Sequence, residues 1–189
     1  EPNHYNVCLM QQSLLRILSF SAHHWGFTLL VAFVLFIDQL TKQLVTRYMV
    51  PGQSIPPTGT FQIHFVTNTG SAFGLFTNQT LFLTIASLVG IVVLLFFYRS
   101  QHTSGRLIKI SLGLQVGGAL GNLADRIMFG YVVDFVQLGW WYTFNIADAS
   151  IVTGIIILVF VIFLTGRQER PKPQCDLPSD LDPSDPPYN

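Results

Sequence analysis

The sequence is poor in charge and in cysteine. Only 11% of its 189 residues are charged, and ten basic residues balance ten acidic ones. Because the chain has no basic excess, its composition does not indicate a nucleic-acid partner. The two cysteines, Cys8 and Cys175, lie near opposite ends of the chain. This placement is typical neither of a disulfide framework nor of a C-x-x-C metal site.

Two protease and hydrolase motifs are also absent. The chain contains no H-E-x-x-H, which argues against a zinc protease. It contains no G-x-S-x-G, which argues against a serine hydrolase built on that turn. The five histidines lie outside the polar cluster described below. The sequence therefore indicates neither a metal nor another cofactor.

Long apolar runs are present, and half of the residues are hydrophobic, as in an integral membrane protein. We predict four spanning helices over residues 25–45, 81–98, 107–124 and 142–164, and a membrane domain over 25–165. No small-residue cleavage site follows the first run, so a cleaved signal peptide is not indicated. Residues 1–24 are interpreted as a cytoplasmic segment that forms either a short interfacial helix or a frayed terminus. Residues 166–189 are interpreted as a disordered, proline-rich cytoplasmic tail.

Residues 51–76 differ in kind from the helices around them. Prolines and glycines punctuate turns there, and Phe61, Ile63 and Phe65 alternate with polar residues at the period of a strand. We expect a small β element, a β cradle, at the surface of the membrane. In the third span, Gly113, Gly117 and Gly121 recur every four residues, a pattern that favours close approach of another helix.

The basic residues predict the orientation. Most of them fall on one side of the four spans, and the positive-inside rule then places both termini in the cytoplasm. The β element and the start of the fourth helix consequently lie at the outer face.

Residues 117–148 place polar groups among residues that otherwise suit a bilayer, namely Asn122, Asp125, Arg126, Asp134, Asn145 and Asp148. Ionisable residues within a membrane are costly and usually carry function. If the chain folds back so that Asp134 and Asp148 meet, the two carboxyls can share one proton. Such a pair activates water, and peptide hydrolysis is its natural reaction. Asp38 and Lys42 lie one helical turn apart and form either a plain ion pair or part of the site.

Two other functions fit the same residues. A proton- or ion-coupled carrier would also place acids in the membrane, although carriers tend to hold their sites near the midplane. A non-catalytic scaffold would use the polar residues to join its helices.

Five blocks of sequence resemble, in order, the motifs of the bacterial lipoprotein signal peptidase family, also called signal peptidase II. They are Phe36-Ile37-Asp38-Gln39-Leu40-Thr41-Lys42, Asn68-Thr69-Gly70-Ser71-Ala72-Phe73, the glycine-rich run 117–126, Val132-Val133-Asp134-Phe135 and Phe144-Asn145-Ile146-Ala147-Asp148. The resemblance covers about residues 25–165, and five ordered blocks are specific where each alone would be weak.

The resemblance implies an all-α, multi-pass aspartic endopeptidase of the bacterial inner membrane, with four helices and an outer β cradle. Its substrate would be a prolipoprotein whose cysteine carries diacylglycerol, cut just before that cysteine. The family's catalytic pair matches Asp134 and Asp148. Its supporting positions match Asp38, Lys42, Asn68, Gly118, Asn122, Arg126, Asn145 and Ala147. We expect a monomer among membrane lipids.

Overall fold

The structure is a computed structural model that describes residues 4–70, 79–100, 105–140 and 142–166, with side chains from residue 25 to residue 164. The elements follow in the order α1 (His4–Tyr48), β1 (Ser54–Ile55), β2 (Phe61–Asn68), α2 (Thr80–Ser100), α3 (Arg106–Phe129), β3 (Val132–Leu138) and α4 (Ile146–Gly166). Each helix holds a segment long and apolar enough to cross a membrane, namely Trp25–Tyr48, Thr80–Ser100, Arg106–Phe129 and Ile146–Leu164. The predicted fold class, four membrane helices with a small β element, is confirmed.

The start of the fourth helix was predicted wrongly. α4 begins at Ile146 and not at Tyr142, because the preceding residues turn back and bridge β3. In that bridge Phe144 N donates to Val136 O at 3.0 Å, and Val136 N donates to Phe144 O at 2.8 Å. Asp148 is therefore the third residue of α4.

The predicted domain limits lie near residues 24 and 166, towards the two ends of the chain. Residues 4–24 are helical and continue into the first span without a break, so α1 is one helix of 45 residues. The boundary at residue 24 remains a prediction. The predicted tail beyond Gly166 and residues 71–76 of the predicted β element lie outside the described residues.

Helix α3 lies at the centre of the bundle and packs against the other three helices. Its glycines allow this, since a Cβ built on Gly117 would lie 2.8 Å from Val34 Cβ of α1. A Cβ built on Gly118, on the neighbouring face, would collide with the carbonyl oxygen of Ala147 in α4. Close approach along the glycine stripe, predicted from its four-residue spacing, is thus confirmed for α1.

The three strands form one antiparallel sheet in the order β1-β2-β3. Asp134 of β3 pairs with Val66 of β2. The register of the two strands shifts between Ile63 and Val66. β3 was not predicted as a strand. Residues 132–135 are all buried, so the side chains on both of its faces are covered and the alternation typical of a half-exposed strand is missing. The sheet rests on the end of α1 through an apolar cluster that includes Val45 and Phe65.

Candidate active site

Two turns bring the predicted aspartates to the same place. α3 ends at Gly130, whose φ of +77° is left-handed and whose N–H donates to Arg126 O at 3.1 Å. Glycine tolerates this conformation because it has no Cβ, and it is a common helix stop. The chain then runs through β3, turns at Gly139 with φ of +56°, and enters α4. Asp134 and Asp148 therefore face each other from a strand and from a helix N-terminus.

The carboxyl group of Asp134 is buried and receives a hydrogen bond on each oxygen. Asn68 Nδ2 donates to its Oδ2 at 2.9 Å, and Asn145 Nδ2 donates to its Oδ1 at 2.7 Å. Only 2% of the residue is exposed. Two amides from separate elements thus hold the carboxyl plane in one orientation.

Asp148 is half-buried and is held by Asn122 and Asn145. Asn122 Nδ2 donates to Asp148 Oδ1 at 2.7 Å. Asn145 is the N-cap of α4, because its Oδ1 accepts the backbone N–H of Asp148 at 2.9 Å, while Asp148 Oδ2 accepts the backbone N–H of Asn145 at 3.4 Å. This reciprocal pair is a capping box. It places the Asp148 carboxylate at the positive end of the helix dipole.

The environment of Asp134 favours its protonated form. Burial, followed by the nearby carboxylate of Asp148, raises the pKa of Asp134 from its ordinary 3.8 to about 7. The hydrogen bonds from Asn68 and Asn145 act in the opposite direction, since they stabilise the charged form. Near neutral pH the pair can therefore hold one proton, as an acid and a base that share one site require.

Both aspartates line a cavity of about 140 Å³. Its wall is formed by Asn68, Asn122, Arg126, Val132, Asp134, Tyr142, Asp148, Ile151 and Val152. A second, apolar groove of about 590 Å³ adjoins it and shares Tyr142, Asp148 and Val152 with the cavity. The groove is completed by Leu138, Trp140, Phe144, Ala149 and Thr153. The cavity that holds both aspartates thus adjoins an apolar groove.

Arg126 is the cation of the cavity wall. Its guanidinium donates to Gly70 O at 3.4 Å and interacts electrostatically with Asp148 and Asp134. Within the described residues, Arg126 forms no ion pair shorter than 4 Å. The guanidinium therefore keeps most of its donors for other partners.

Asp38 and Lys42 are brought together but do not line the cavity. Their side chains form a buried ion pair of 2.8 Å. Asp38 Oδ1 also accepts the backbone N–H of Ala147 at 2.8 Å, which satisfies one of the free donors at the start of α4. The pair therefore does more than neutralise itself, because it fixes the end of the helix that carries Asp148.

Gly118 and Ala147 contribute through packing. Ala147 is fully buried, and its carbonyl lies against the bare face of Gly118. This contact sets how closely α4 approaches α3. Five of the ten predicted site residues thus line the cavity, namely Asn68, Asn122, Arg126, Asp134 and Asp148, and the other five lie behind its wall.

Three residues of the site region were not predicted as site residues. Asp125 is 1% exposed and pairs with Lys42 at 3.0 Å, and Gln39 donates to Asp125 at 2.9 Å. Asp125 lies three residues after Asn122, so the helical period places both on one face, which was the available signal. Tyr142 lines the cavity, whereas the sequence indicated it only as the first residue of the fourth predicted span.

The sequence is similar to those of known lipoprotein signal peptidases. A family model described as signal peptidase (SPase) II matches residues 30–164. The lipoprotein signal peptidase of Moorella thermoacetica is 44% identical over 149 residues, which cover 78% of this chain and 99% of that protein. The lipoprotein signal peptidase of Caldanaerobacter subterraneus is 41% identical over 140 residues, covering 72% of this chain and 95% of that protein.

Solved structures agree with the sequence comparison. A bacterial membrane enzyme determined by the in meso method at 2.3 Å resolution superposes with a TM-score of 0.73 and 28% identity, over 78% of this chain and 93% of that one. A second, at 1.9 Å resolution, gives a TM-score of 0.67 and 29% identity over 72% and 92% of the two chains.

Proposed function

Since this chain belongs to the signal peptidase II family, we propose that Asp134 and Asp148 are the catalytic pair with which it removes signal peptides from prolipoproteins. The protein is a bacterial membrane protease with four helices able to span the bilayer. The observation that carries the assignment of the pair is their shared cavity, in which amides from β2, α3 and the α4 N-cap hold both carboxyls.

The two aspartates take different roles in hydrolysis. Asp134 is the acid, because burial favours its protonated form, and Asp148 is the base at the open side of the cavity. The Asp148 carboxylate takes a proton from water while the water oxygen attacks the scissile carbonyl carbon. At the same time Asp134 gives its proton to the carbonyl oxygen, which produces a tetrahedral diol.

Collapse of the diol restores the pair. One hydroxyl of the diol returns its proton to Asp134, the carbon–nitrogen bond breaks, and the leaving amine takes the proton held by Asp148. The products are a new carboxyl terminus and a new amine. Asp134 ends protonated and Asp148 ionised, so the enzyme is ready for another water.

Supporting residues orient these groups. Asn122 and Asn145 hold the carboxyl planes through the hydrogen bonds described above. Arg126 donates to a backbone carbonyl of the substrate, as its unpaired donors within the described residues and its place in the cavity wall allow. Such contacts accelerate the reaction only if they hold the reacting atoms in attacking distance.

The apolar groove supports a substrate that arrives through the membrane. A signal peptide is itself a hydrophobic segment, and it can reach the pair sideways along the groove that shares Asp148 with the cavity. The lipid of a diacylglyceryl-modified cysteine would remain in the same apolar surroundings, with cleavage just before that cysteine. A water-filled cleft is then unnecessary.

The orientation of the chain is part of the proposal. Basic residues on one side of the spans favour cytoplasmic termini and an active site near the outer face. The sheet that carries Asp134 and the N-terminus of α4 would both lie at that face. We propose that the enzyme acts there as a monomer among membrane lipids.

The test is cleavage of a diacylglyceryl-modified prolipoprotein by purified enzyme in detergent. Wild type should cut before the modified cysteine, whereas Asp134→Asn and Asp148→Asn should lose activity and keep their folded yield, because asparagine retains shape but not carboxyl chemistry. Gln43→Glu, the reverse change at an exposed site on α1, is the matched control and should cut normally.

Other outcomes would favour the alternatives. A folded wild type that leaves the substrate whole, but takes up protons in vesicles, would indicate a carrier. Loss of folding in both asparagine variants would indicate that the aspartates act as structural links between helices.

A further inference from the structure

Another buried carboxylate, that of Asp125, lies behind the proposed catalytic pair. It is 1% exposed and lines neither the cavity nor the groove. Its Oδ1 accepts a hydrogen bond from Gln39 Nε2 at 2.9 Å. Its Oδ2 lies 3.0 Å from Lys42 Nζ and accepts the backbone N–H of Val133 at 3.2 Å. Both oxygens are therefore occupied by protein donors.

One of these contacts leads to Asp134. Val133 is its neighbour in β3, so the hydrogen bond from Val133 N–H ties the strand to α3 one residue before the catalytic position. The carbonyl of Val133 accepts from Asn145 Nδ2 at 3.3 Å, and the same amide donates to Asp134. Asp125 thus fixes the backbone from which the Asp134 side chain projects.

The other contact leads to Asp148. Lys42 Nζ, held by Asp125, donates to Asn122 Oδ1 at 3.1 Å. An amide side chain has one oxygen and one NH₂ group, so an oxygen turned to Lys42 leaves the NH₂ group on the opposite side. That NH₂ group donates to Asp148 Oδ1 at 2.7 Å. Lys42 therefore helps to select the amide orientation that Asp148 requires, together with Asn145 Nδ2, which donates to the same Asn122 oxygen at 3.1 Å.

We propose that Asp125, held in place by Gln39, is a positioning residue that sets both catalytic carboxyls at once, through Val133 for Asp134 and through Lys42 and Asn122 for Asp148. The inference rests on the proposed function of the pair. It assigns Asp125 no contact with substrate or water, because its oxygens are occupied and it lies outside the cavity wall.

A purely structural role would look different, and the bundle contains an example. Gln115 is buried and donates to Ser111 O at 3.3 Å and to Ser111 Oγ at 3.1 Å, while Ser111 Oγ donates to Gly154 O at 2.9 Å. This second polar cluster joins α3 to α4 without touching either aspartate. It offers a matched control of the same chemistry in the same bundle.

The experiment compares Gln39→Met with Gln115→Met. Both changes replace a glutamine amide by an apolar chain of similar length and remove hydrogen bonds inside the bundle. Gln39 is half-buried and also donates to Gly121 O at 3.2 Å and to Asp38 Oδ2 at 3.4 Å, whereas Gln115 is buried. We expect the first to lower kcat by about tenfold to a hundredfold with KM within about twofold, because misplacement by about 1 Å can cost about a hundredfold. We expect the second to leave kcat and KM unchanged, whatever it does to the thermal midpoint.

Asp125→Asn extends the test and should lower kcat further with KM again preserved, if it folds. Should it fail to fold, Gln39→Met decides alone. The positioning role would be overturned if Gln39→Met kept the wild-type kcat. It would also be overturned if Gln115→Met, at a matched thermal midpoint, lost as much kcat as Gln39→Met. Wild type and Asp134→Asn are run in parallel, since an inactive wild type or an active Asp134→Asn would contradict the proposed function itself.

Discussion

The alkaline side of the activity profile gives the most direct test of the acid assigned to Asp134. If this residue must carry a proton and its pKa is about 7, the rate falls as the pH rises above about 7. The loss should approach tenfold per pH unit, so that kcat/KM at pH 9 is about a hundredfold below its value at pH 6. The pH dependence of kcat/KM reports the free enzyme, which is the state that the structure describes.

Asn68→Ala should raise the pH at which activity falls, that is, it should move the alkaline limb of the pH profile upward. The hydrogen bond from Asn68 stabilises the charged form of Asp134, so its removal raises the pKa of Asp134 and extends activity to higher pH. A hydrogen bond to a charged group contributes about 1.5–3 kcal/mol, and one pKa unit corresponds to about 1.4 kcal/mol. The limb should therefore move up by about one to two pH units, even if the maximal rate falls.

The assay is the initial rate of prolipoprotein cleavage in detergent at substrate concentrations below KM, from pH 5 to pH 10. Ser54→Ala is the control, because its hydroxyl lies 2.7 Å from His64 Nδ1 on the same sheet and has no contact with the pair. A wild-type rate that already falls about tenfold per pH unit from pH 5 upward would refute the raised pKa of Asp134. A limb that moves down in Asn68→Ala would refute the sign of the hydrogen-bond effect.

Three further predictions concern packing, substrate access and stability. Gly118→Ala should push α4 away from α3, lower the free energy of unfolding by about 1–3 kcal/mol and reduce the rate of cleavage. Gly90 faces open space on α2, so Gly90→Ala is the control and should change neither the kinetics nor the thermal midpoint. Thr153→Trp should obstruct the apolar groove and raise KM about tenfold, which is equivalent to about 1.4 kcal/mol. Val92→Trp, on the exposed face of α2, is the control and should leave KM unchanged. Asp38→Ala should destabilise the protein by about 3–5 kcal/mol in reversible unfolding, because it breaks a buried ion pair; an unchanged midpoint would contradict that role.

Much of the architecture could be predicted because a bilayer limits what a sequence can form. A span needs about 20 apolar residues, so the four helices were visible as runs, and acids inside such runs marked the site. Asp134 and Asp148 were singled out as a possible pair from the polar residues themselves, and the resemblance to a known family then implied their catalytic role. The glycine spacing of α3 indicated the helix contact for a local geometric reason.

The boundaries near the site could not be read in the same way. The side chains of β3 are buried on both faces, so its sequence shows no alternation of apolar and polar residues. The residues just before Ile146 are apolar or aromatic enough that the sequence alone predicted a longer helix. The return of the chain to β3 stops α4 short, which moves Asp148 to the helix N-terminus. Competition between helix and sheet pairing is a tertiary effect.

The sequence by itself determined the class of protein, the number of spans and the set of polar residues from which a site could be built, since these depend on composition and on periods of a few residues. Only the tertiary structure decided which polar groups meet. Lys42 reaches Asn122 across 80 residues of chain, and Asp38 reaches Ala147 across 109. Hydrogen bonds depend on distances of about 3 Å and on direction, and only the packed helices bring such distant groups within that range.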